Sequence, residues 1–380
     1  MTDLAAADLY QRLGGTAPPR VLDVRNAEEF ARWRVEGPRP VDVLNVPYFE
    51  FVEREEASVK RVTDWLGARG EDLVVVCAEG GSSAYVAEIL QGRGLPAANL
   101  AGGMAAWGLG TAIRPIAASG PARLWQVLRF GRGCLSYVVA RGEDAVVVDP
   151  HRGLDAYRGL LEREGLRLRA VFDTHLHADH VSGGPALARD AGVGYHASLR
   201  DFEGGTVPVE GLVDGQPVRI GRLEVLPIVP LGTPGHTPGS TSLLVADALL
   251  LTGDTLFVDD VGRPDLGGQA AAWARDLYRT LHERLEPLGD AIVVLPAHAS
   301  TLAASGPLGA VAGTLGALRQ RNPAMRLALD AFVREAEHAA GSAPAEYARI
   351  RAINLGRETT AEAELTELEL GKNQCALSRR

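Results

Sequence analysis

The chain has 380 residues, 46% apolar and 23% charged, with a formal net charge of −9. That length leaves room for two domains or more, and the composition is that of globular proteins with ample core material. Lys and Arg are scattered through an acidic chain, which excludes the basic footprint of a nucleic-acid binder. No apolar run approaches the ~18 residues of a membrane span, and Met1-Thr-Asp-Leu-Ala has neither the charged nor the apolar region of a secretory leader. Cys77, Cys134 and Cys375 are too few and too dispersed for a disulfide framework, so the expectation is a reducing, cytoplasmic setting with free thiols.

Residues 1–115 read as one small α/β unit. Val21 to Arg25 forms a strand, after which Asn26 caps a helix with Glu29 at capping-box spacing. Leu73 to Val76 is a continuous apolar run suited to a strand buried on both faces, and it ends at Cys77. Ala78-Glu-Gly-Gly-Ser-Ser83 and a helical stretch from Ala84 to Gln91 follow. Backbone N–H groups converge in such a loop and the helix N-terminus adds partial positive charge, so the sulfur of Cys77 is placed where negative charge is stabilised. Residues 116–122 form a Pro/Ala/Gly linker.

From 123 to 300 strand-like segments alternate with turns and helices. Leu135 to Ala140 and Ala145 to Val148 are strands, and Cys134 reads as a packing residue ahead of the first. Asp155 to Glu164 is helical. Ala170-Val171-Phe172 leads into Thr174-His-Leu-His-Ala-Asp-His180, where His175, His177, Asp179 and His180 fall within six residues. Later strands are expected at Leu223 to Ile228, Leu243 to Val245, Leu249 to Leu251 and Ile292 to Leu295. His236, Asp254 and His298 each follow a strand candidate closely. Four strand ends carrying ligand-type side chains converge if they share one edge, and nitrogen with carboxylate donors suits zinc, iron or manganese. His151, His196, His282 and His338 lack that context and read as surface or structural. Residues 301–380 read as a C-terminal helical extension and tail. Asn322-Pro323 is expected to open a helix carrying Leu327, Leu329 and Phe332. The last twenty residues read as loose, with Cys375 incidental.

Two resemblances follow from these motifs. Leu22-Asp-Val-Arg25, Glu29-Phe30, the Cys77 loop with Gly80, and Gly102-Gly103-Met-Ala-Ala-Trp107 resemble a rhodanese domain, a sulfurtransferase fold in which the loop cysteine carries a sulfane sulfur. That role would fall to Cys77. Many active rhodaneses place Arg or Lys in the loop; Glu79 and Ser82 here disfavour anionic thiosulfate as donor. The stretch from Arg123 to His298 resembles the metallo-β-lactamase superfold, an αβ/βα sandwich with metals on one edge. The overall expectation is thus an α/β rhodanese domain followed by an α+β metallo-β-lactamase sandwich with C-terminal helices.

Within that superfold, Thr252-Gly-Asp-Thr-Leu-Phe257 continuing to Gly262-Arg-Pro-Asp265 is similar to the persulfide dioxygenases. The resemblance implies one Fe(II) per chain on His175, His236 and Asp254, with His177, Asp179, His180 and His298 as surrounding residues and Arg263 as the candidate for a substrate carboxylate. It implies oxidation of a low-molecular-weight persulfide, such as glutathione persulfide, with O2 to sulfite and thiol in sulfide detoxification, with sulfite a further substrate for Cys77. Fused enzymes of this type often self-associate, so a homo-oligomer is compatible with it. The other similarity is to glyoxalase II-like thioester hydrolases. There, two zinc ions would use His175, His177 and His236 for one site, Asp179, His180 and His298 for the other, and Asp254 as the bridge.

Overall fold

The computed structural model describes residues 3–67, 72–116, 122–218, 220, 227–299, 302–303, 309–341, 343–372 and 374–377. Five short strands make a parallel sheet: β1 (Asp3–Leu4), β2 (Arg20–Asp23), β3 (Val43–Asn45), β4 (Leu73–Val76) and β5 (Ala97–Leu100), in the order β1-β5-β4-β2-β3. β4 is central and every residue of it is buried, as a strand covered by helices on both faces requires. The helix after the Cys77 loop spans Gly81–Gly92, three residues earlier than expected. Gly80 makes that turn possible. Its φ is +94°, and a Cβ there would stand 2.8 Å from the Gly102 nitrogen.

The second domain is a sandwich. One sheet contains β6 (Thr111–Ile116), β7 (Arg123–Arg129), β8 (Leu135–Arg141), β9 (Asp144–Val148), β10 (Arg167–Phe172), β11 (Gly194–Ala197) and β12 (Glu210–Gly211) in sequence order across the sheet. The other contains β13 (Ile228–Gly232), β14 (Thr241–Val245), β15 (Leu249–Gly253), β16 (Val293–Pro296) and β17 (Gly313–Thr314). The apolar strands bury both faces by alternation. Val146 and Val148 of β9 join Leu243, Leu249 and Leu251 between the sheets, while Ala145 and Val147 meet Tyr157, Leu160 and Leu187 of the outer helices. Leu244, Leu250 and Val294 do the same on the far side, against Leu277, Leu281 and Phe332.

Three expectations need correction. β6 pairs antiparallel with β7 from Thr111↔Arg129 to Ile116↔Leu124, so residues 111–115, assigned from sequence to the first domain, complete the second domain's sheet. Of the expected linker 116–122, residues 117–121 lie outside the described residues, as do 223–226 of the expected strand at Leu223 to Ile228. Asn322 does not open a long helix. It ends the helix Leu315–Arg321, its side chain donates to the Asp260 carbonyl at 2.8 Å, a single 3-10 turn at Ala324–Arg326 follows, and the next α-helix starts at Leu329 after extended backbone at Leu327.

The third correction concerns the tail. After the helix Glu362–Leu368 the chain forms a strap across both domains. Lys372 ion-pairs with Glu36 of the first domain at 2.5 Å, and Arg132 N–H donates to the Gly371 carbonyl at 3.0 Å. Further on, Arg263 N–H donates to the Cys375 carbonyl at 2.7 Å and Leu377 N–H to Val261 at 2.8 Å. The strap therefore ends in a single antiparallel bridge, Ala376 opposite Gly262, with Cys375 and Leu377 buried. Among the described residues no helix is long and apolar enough to cross a membrane.

The domains share one core. Phe130 lies between Tyr10 and Trp107 of the first domain, its ring 4.5 Å and 4.6 Å from theirs. A Cβ on Gly110 would stand 2.6 Å from that ring, so the join is closely packed. Phe130→Ala is expected to cost about 3–5 kcal/mol and to split one unfolding transition into two in calorimetry. A single unshifted transition would show the join to be dispensable.

Candidate metal centre and sulfur site

The site is built from strand ends. β9, β10, β15 and β16 run parallel in neighbouring pairs, so Asp149, the Thr174–His180 loop, Asp254 and His298 emerge on one edge. Hydrogen bonds then fix the loops. Asp201 accepts from Leu176 N–H at 3.0 Å, Gly239 N–H at 2.6 Å and the Thr237 hydroxyl at 2.6 Å, tying the His175 loop to the His236 loop. Asn354, from the C-terminal helices, donates to the carbonyls of His177 and His180, both at 2.9 Å. Glu369 accepts from Val181 N–H at 2.6 Å. None of these three braces stood out in the sequence, because each is remote in the chain and of a type common on surfaces.

His175, His236 and Asp254 come together, with one ligand atom from each within 4.8 Å of the others and all three buried. Asp254 Oδ2 lies 3.8 Å from His175 Nε2 and 3.6 Å from His236 Nε2. The rings are oriented from behind. His236 Nδ1 donates to the Arg263 carbonyl at 3.0 Å, and His175 Nδ1 meets the Thr174 hydroxyl at 2.9 Å, leaving each Nε2 directed at Asp254. Gly262 allows this approach, since a Cβ there would stand 1.9 Å from the Asp254 carbonyl oxygen. Burial holds both imidazoles below their ordinary range and therefore neutral. Burial opposes ionisation of Asp254, but His298 overrides it and keeps the carboxyl below its usual range.

Two further groups flank this face. His177 turns to Asp149, 3.3 Å away, and to Asp173 at 3.9 Å, rather than joining His175 and His236. Burial raises Asp173 to about 6. Asp179, His180 and His298 gather with Cys134, the four ligand atoms again within 4.8 Å of one another. His298 bridges the groups, with Nε2 2.8 Å from Asp179 and Nδ1 2.5 Å from Asp254. Cys134, read from sequence as packing, is thus part of a donor cluster. Burial would raise its thiol, but the neighbouring His180 draws it down to about 7.

The residues fit a metal ion. His175 Nε2 and Asp254 Oδ2 are polar atoms on buried side chains without a hydrogen-bond partner, and two neutral imidazoles with a carboxylate form a donor set of the kind that holds divalent iron. Arg263, in contrast, is not open to a substrate carboxylate. It is 3% exposed, its Nε and Nη2 fork onto Asp265 at 2.5 and 2.6 Å, and Nη1 reaches the Gln374 carbonyl at 3.3 Å. Its position serves the site through the backbone carbonyl on His236. Cys375 is fully buried, with its sulfur 3.8 Å from the Tyr347 hydroxyl. Burial, with the Asp179 and Asp254 carboxylates nearby, keeps that thiol protonated. In the first domain, Gly80 N–H donates to Cys77 Sγ at 3.0 Å and the Ser83 hydroxyl lies 3.1 Å from the same sulfur.

The family model of the metallo-beta-lactamase superfamily matches residues 129–298, and that of the rhodanese-like domain matches residues 5–109. An uncharacterized protein of Mycobacterium tuberculosis is 32% identical over 222 residues, spanning 50% of this chain and 92% of its own length. The chain belongs to the metallo-beta-lactamase superfamily. It carries a rhodanese-like domain ahead of the superfamily domain. The human mitochondrial persulfide dioxygenase ETHE1 is 30% identical over 193 residues, 50% of this chain and 70% of that protein. A hydroxyacylglutathione hydrolase of Anaeromyxobacter dehalogenans is 38% identical over 149 residues, 38% of this chain and 55% of that protein. Among solved structures, ETHE1 from Myxococcus xanthus superposes with a TM-score of 0.53 at 26% identity, covering 61% of this chain and 98% of that one.

Two outcomes are expected. His236→Ala and Asp254→Ala lose the metal bound by anaerobically prepared protein, whereas His177→Ala keeps it, as metal analysis by mass spectrometry will show. Loss in all three would favour a three-histidine site. Glu369, whose Oε2 accepts from Arg129 at 2.8 Å and Arg152 at 2.6 Å, anchors the strap. Burial would raise its carboxyl, but the two guanidinium groups hold it at about 2 against an ordinary 4.5. Its folded value is depressed, so its stabilisation of about 3 kcal/mol is present above the ordinary value and lost as the pH falls towards 2. Glu369→Ala leaves the buried Arg129 guanidinium without its carboxylate, while Arg152 keeps Glu362, and is expected to cost about 3–5 kcal/mol in denaturant unfolding at neutral pH. It is also expected to flatten the acid limb of the stability profile; an unchanged limb would contradict the assignment.

Proposed function

We propose that the protein is an iron-dependent persulfide dioxygenase joined to a sulfurtransferase domain. The observation that carries this is the grouping of two histidines and one carboxylate, His175, His236 and Asp254, with His177 directed elsewhere. Similarity to ETHE1 persulfide dioxygenases supports it. Ferrous iron, when bound, would supply the redox chemistry with dioxygen and an affinity for sulfur, since such a facial set leaves coordination positions open.

The chain's own contributions are specific. His298 holds Asp254 Oδ1 and so fixes which oxygen is left for the metal. The Arg263 carbonyl sets the tautomer of His236. Thr174, itself held by Asp149, sets the plane of His175. Phe257, Tyr347 and the Cys375 strap are buried around the site and exclude bulk water. The balanced reaction is R–S–SH + O2 + H2O → R–SH + H2SO3, in which the outer sulfur is oxidised and dioxygen reduced. In the first domain, Cys77 would exchange sulfane sulfur with the same pool, including transfer to sulfite to give thiosulfate. Such a protein would serve sulfide detoxification in the cytoplasm.

A second reading has one observation in its favour. Cys134, Asp179, His180 and His298 form a second donor cluster, as a two-metal thioester hydrolase would need. Oxygen uptake with glutathione persulfide, run beside hydrolysis of S-lactoylglutathione, separates the two. Persulfide-dependent uptake yielding sulfite is expected from iron-loaded protein. Thioester cleavage with two bound zinc ions and no oxygen uptake would refute the dioxygenase.

A further inference from the structure

A pocket of about 380 Å³ lies at the domain join, walled by Leu109 of the first domain and by Arg129, His151, Arg152 and Arg158 of the second. The volume is in the range of small-ligand pockets. Two of these side chains end in buried donors that no group among the described residues satisfies. Arg129 is 2% exposed. Its Nε donates to the Gly108 carbonyl at 3.0 Å and its Nη2 to Glu369 at 2.8 Å, while Nη1 has no hydrogen-bond partner. His151, read from sequence as surface or structural, is 1% exposed. Its backbone is pinned by an antiparallel bridge to Ser182 and by its N–H, which donates to the Tyr157 hydroxyl at 2.9 Å. Burial and the Arg129 charge hold the ring below its ordinary range and therefore neutral. Nδ1 accepts from Gly153 N–H at 3.1 Å, so the proton is on Nε2, and Nε2 has no partner either. An unpaired buried N–H costs about 1–3 kcal/mol, and more when it belongs to a cation.

We propose that this pocket binds a small oxoanion, of the sulfite or phosphate type, between Arg129 Nη1 and His151 Nε2. The charges around it point the same way. Glu369 is shared by Arg129 and Arg152, so one buried carboxylate answers two guanidinium groups. The other wall carboxylates are at the rim. Asp155 and Glu362 are 99% and 75% exposed at their side chains and pair there with Arg158 and Arg152, and Arg158 also reaches Asp190 at 2.6 Å. Inside, one charged and one neutral N–H face the space, and an oxoanion, which only accepts, meets both. Its effect would fall on the join. Arg129 is held by Gly108 of the first domain and by Glu369, whose other oxygen accepts from Val181 N–H beside His180. An anion on Nη1 adds a third tie to the same guanidinium and stabilises the joined domains. Naming sulfite as one source rests on the dioxygenase reading; the site itself does not.

The test uses the full-length protein. Crystals are soaked in sodium selenate, a tetrahedral oxoanion whose selenium marks its own position by anomalous scattering. Sulfite and phosphate are titrated into the protein by calorimetry, without oxygen and at fixed ionic strength. A selenium peak within hydrogen-bond reach of Arg129 Nη1 and His151 Nε2 is expected, with one saturable site per chain in solution. Leu109→Glu brings a carboxylate to the pocket from a position that is 41% exposed, and His151→Phe removes the inner neutral donor. Each is expected to weaken binding about tenfold or more. The Leu109 variant decides the matter even if the buried His151 variant fails to fold. Tighter binding of sulfite than of phosphate assigns the site to the product of the proposed oxidation, and the reverse assigns it to inorganic phosphate. Water alone at the two donors overturns the proposal. Selenate at crystal concentration without saturable binding in solution is an adventitious ion only and overturns it too, as does binding that Leu109→Glu leaves unchanged. None of these outcomes depends on oxygen uptake with persulfide, so the dioxygenase reading stands or falls separately.

Discussion

A buried carboxylate sets the terms for the second domain. Asp254 has no solvent exposure at its side chain, and an isolated charge there would cost several kcal/mol. His298 neutralises one oxygen from behind, and the other faces His175 and His236. That arrangement requires a left-handed Gly253 just before it and a glycine at 262 pressed against its carbonyl. The two sheets exist, in this sense, to bring β10 and β15 to the same edge. Their valines and leucines supply the burial free energy that makes a dense ionic cluster affordable.

The two domains share a core rather than a linker. Phe130 closes the apolar contact, and the strap closes a polar one through Glu36, Arg132 and Glu369. Glu369 reaches both Arg129 near the join and the backbone of Val181 beside the His-rich loop. Glu369 thus ties the join between the domains to the backbone beside the His-rich loop.

Much of this was legible in the sequence. The Leu73–Val76 strand, the Cys77 loop and the HxHxDH string carry strong local signals, because a strand buried on both faces must be apolar and a ligand cluster must be polar in an apolar context. The grouping of His175 with His236 and Asp254 followed from a resemblance, and the structure brings the same three together. What escaped was long-range. Nothing local announces that Asp201 will bind two loops or that Asn354 will hold two histidine carbonyls. Cys134 looked like a strand's first apolar residue until β8 lay beside His298. The tail looked loose because its polar residues are anchored by Arg132 and Arg263, neither of which a pattern search would pair with it. Arg263 is hidden for the same reason, since an arginine in a glycine-flanked loop looks available until Asp265 and the strap are seen to occupy it.

We propose that one iron sits on His175, His236 and Asp254. Anomalous diffraction at the iron absorption edge, from crystals of protein prepared anaerobically, tests it most directly. A single peak bounded by those three side chains is the predicted result. A peak shared by His175, His177 and His236, or a pair of metal peaks that includes the Asp179, His180 and His298 cluster, would contradict it.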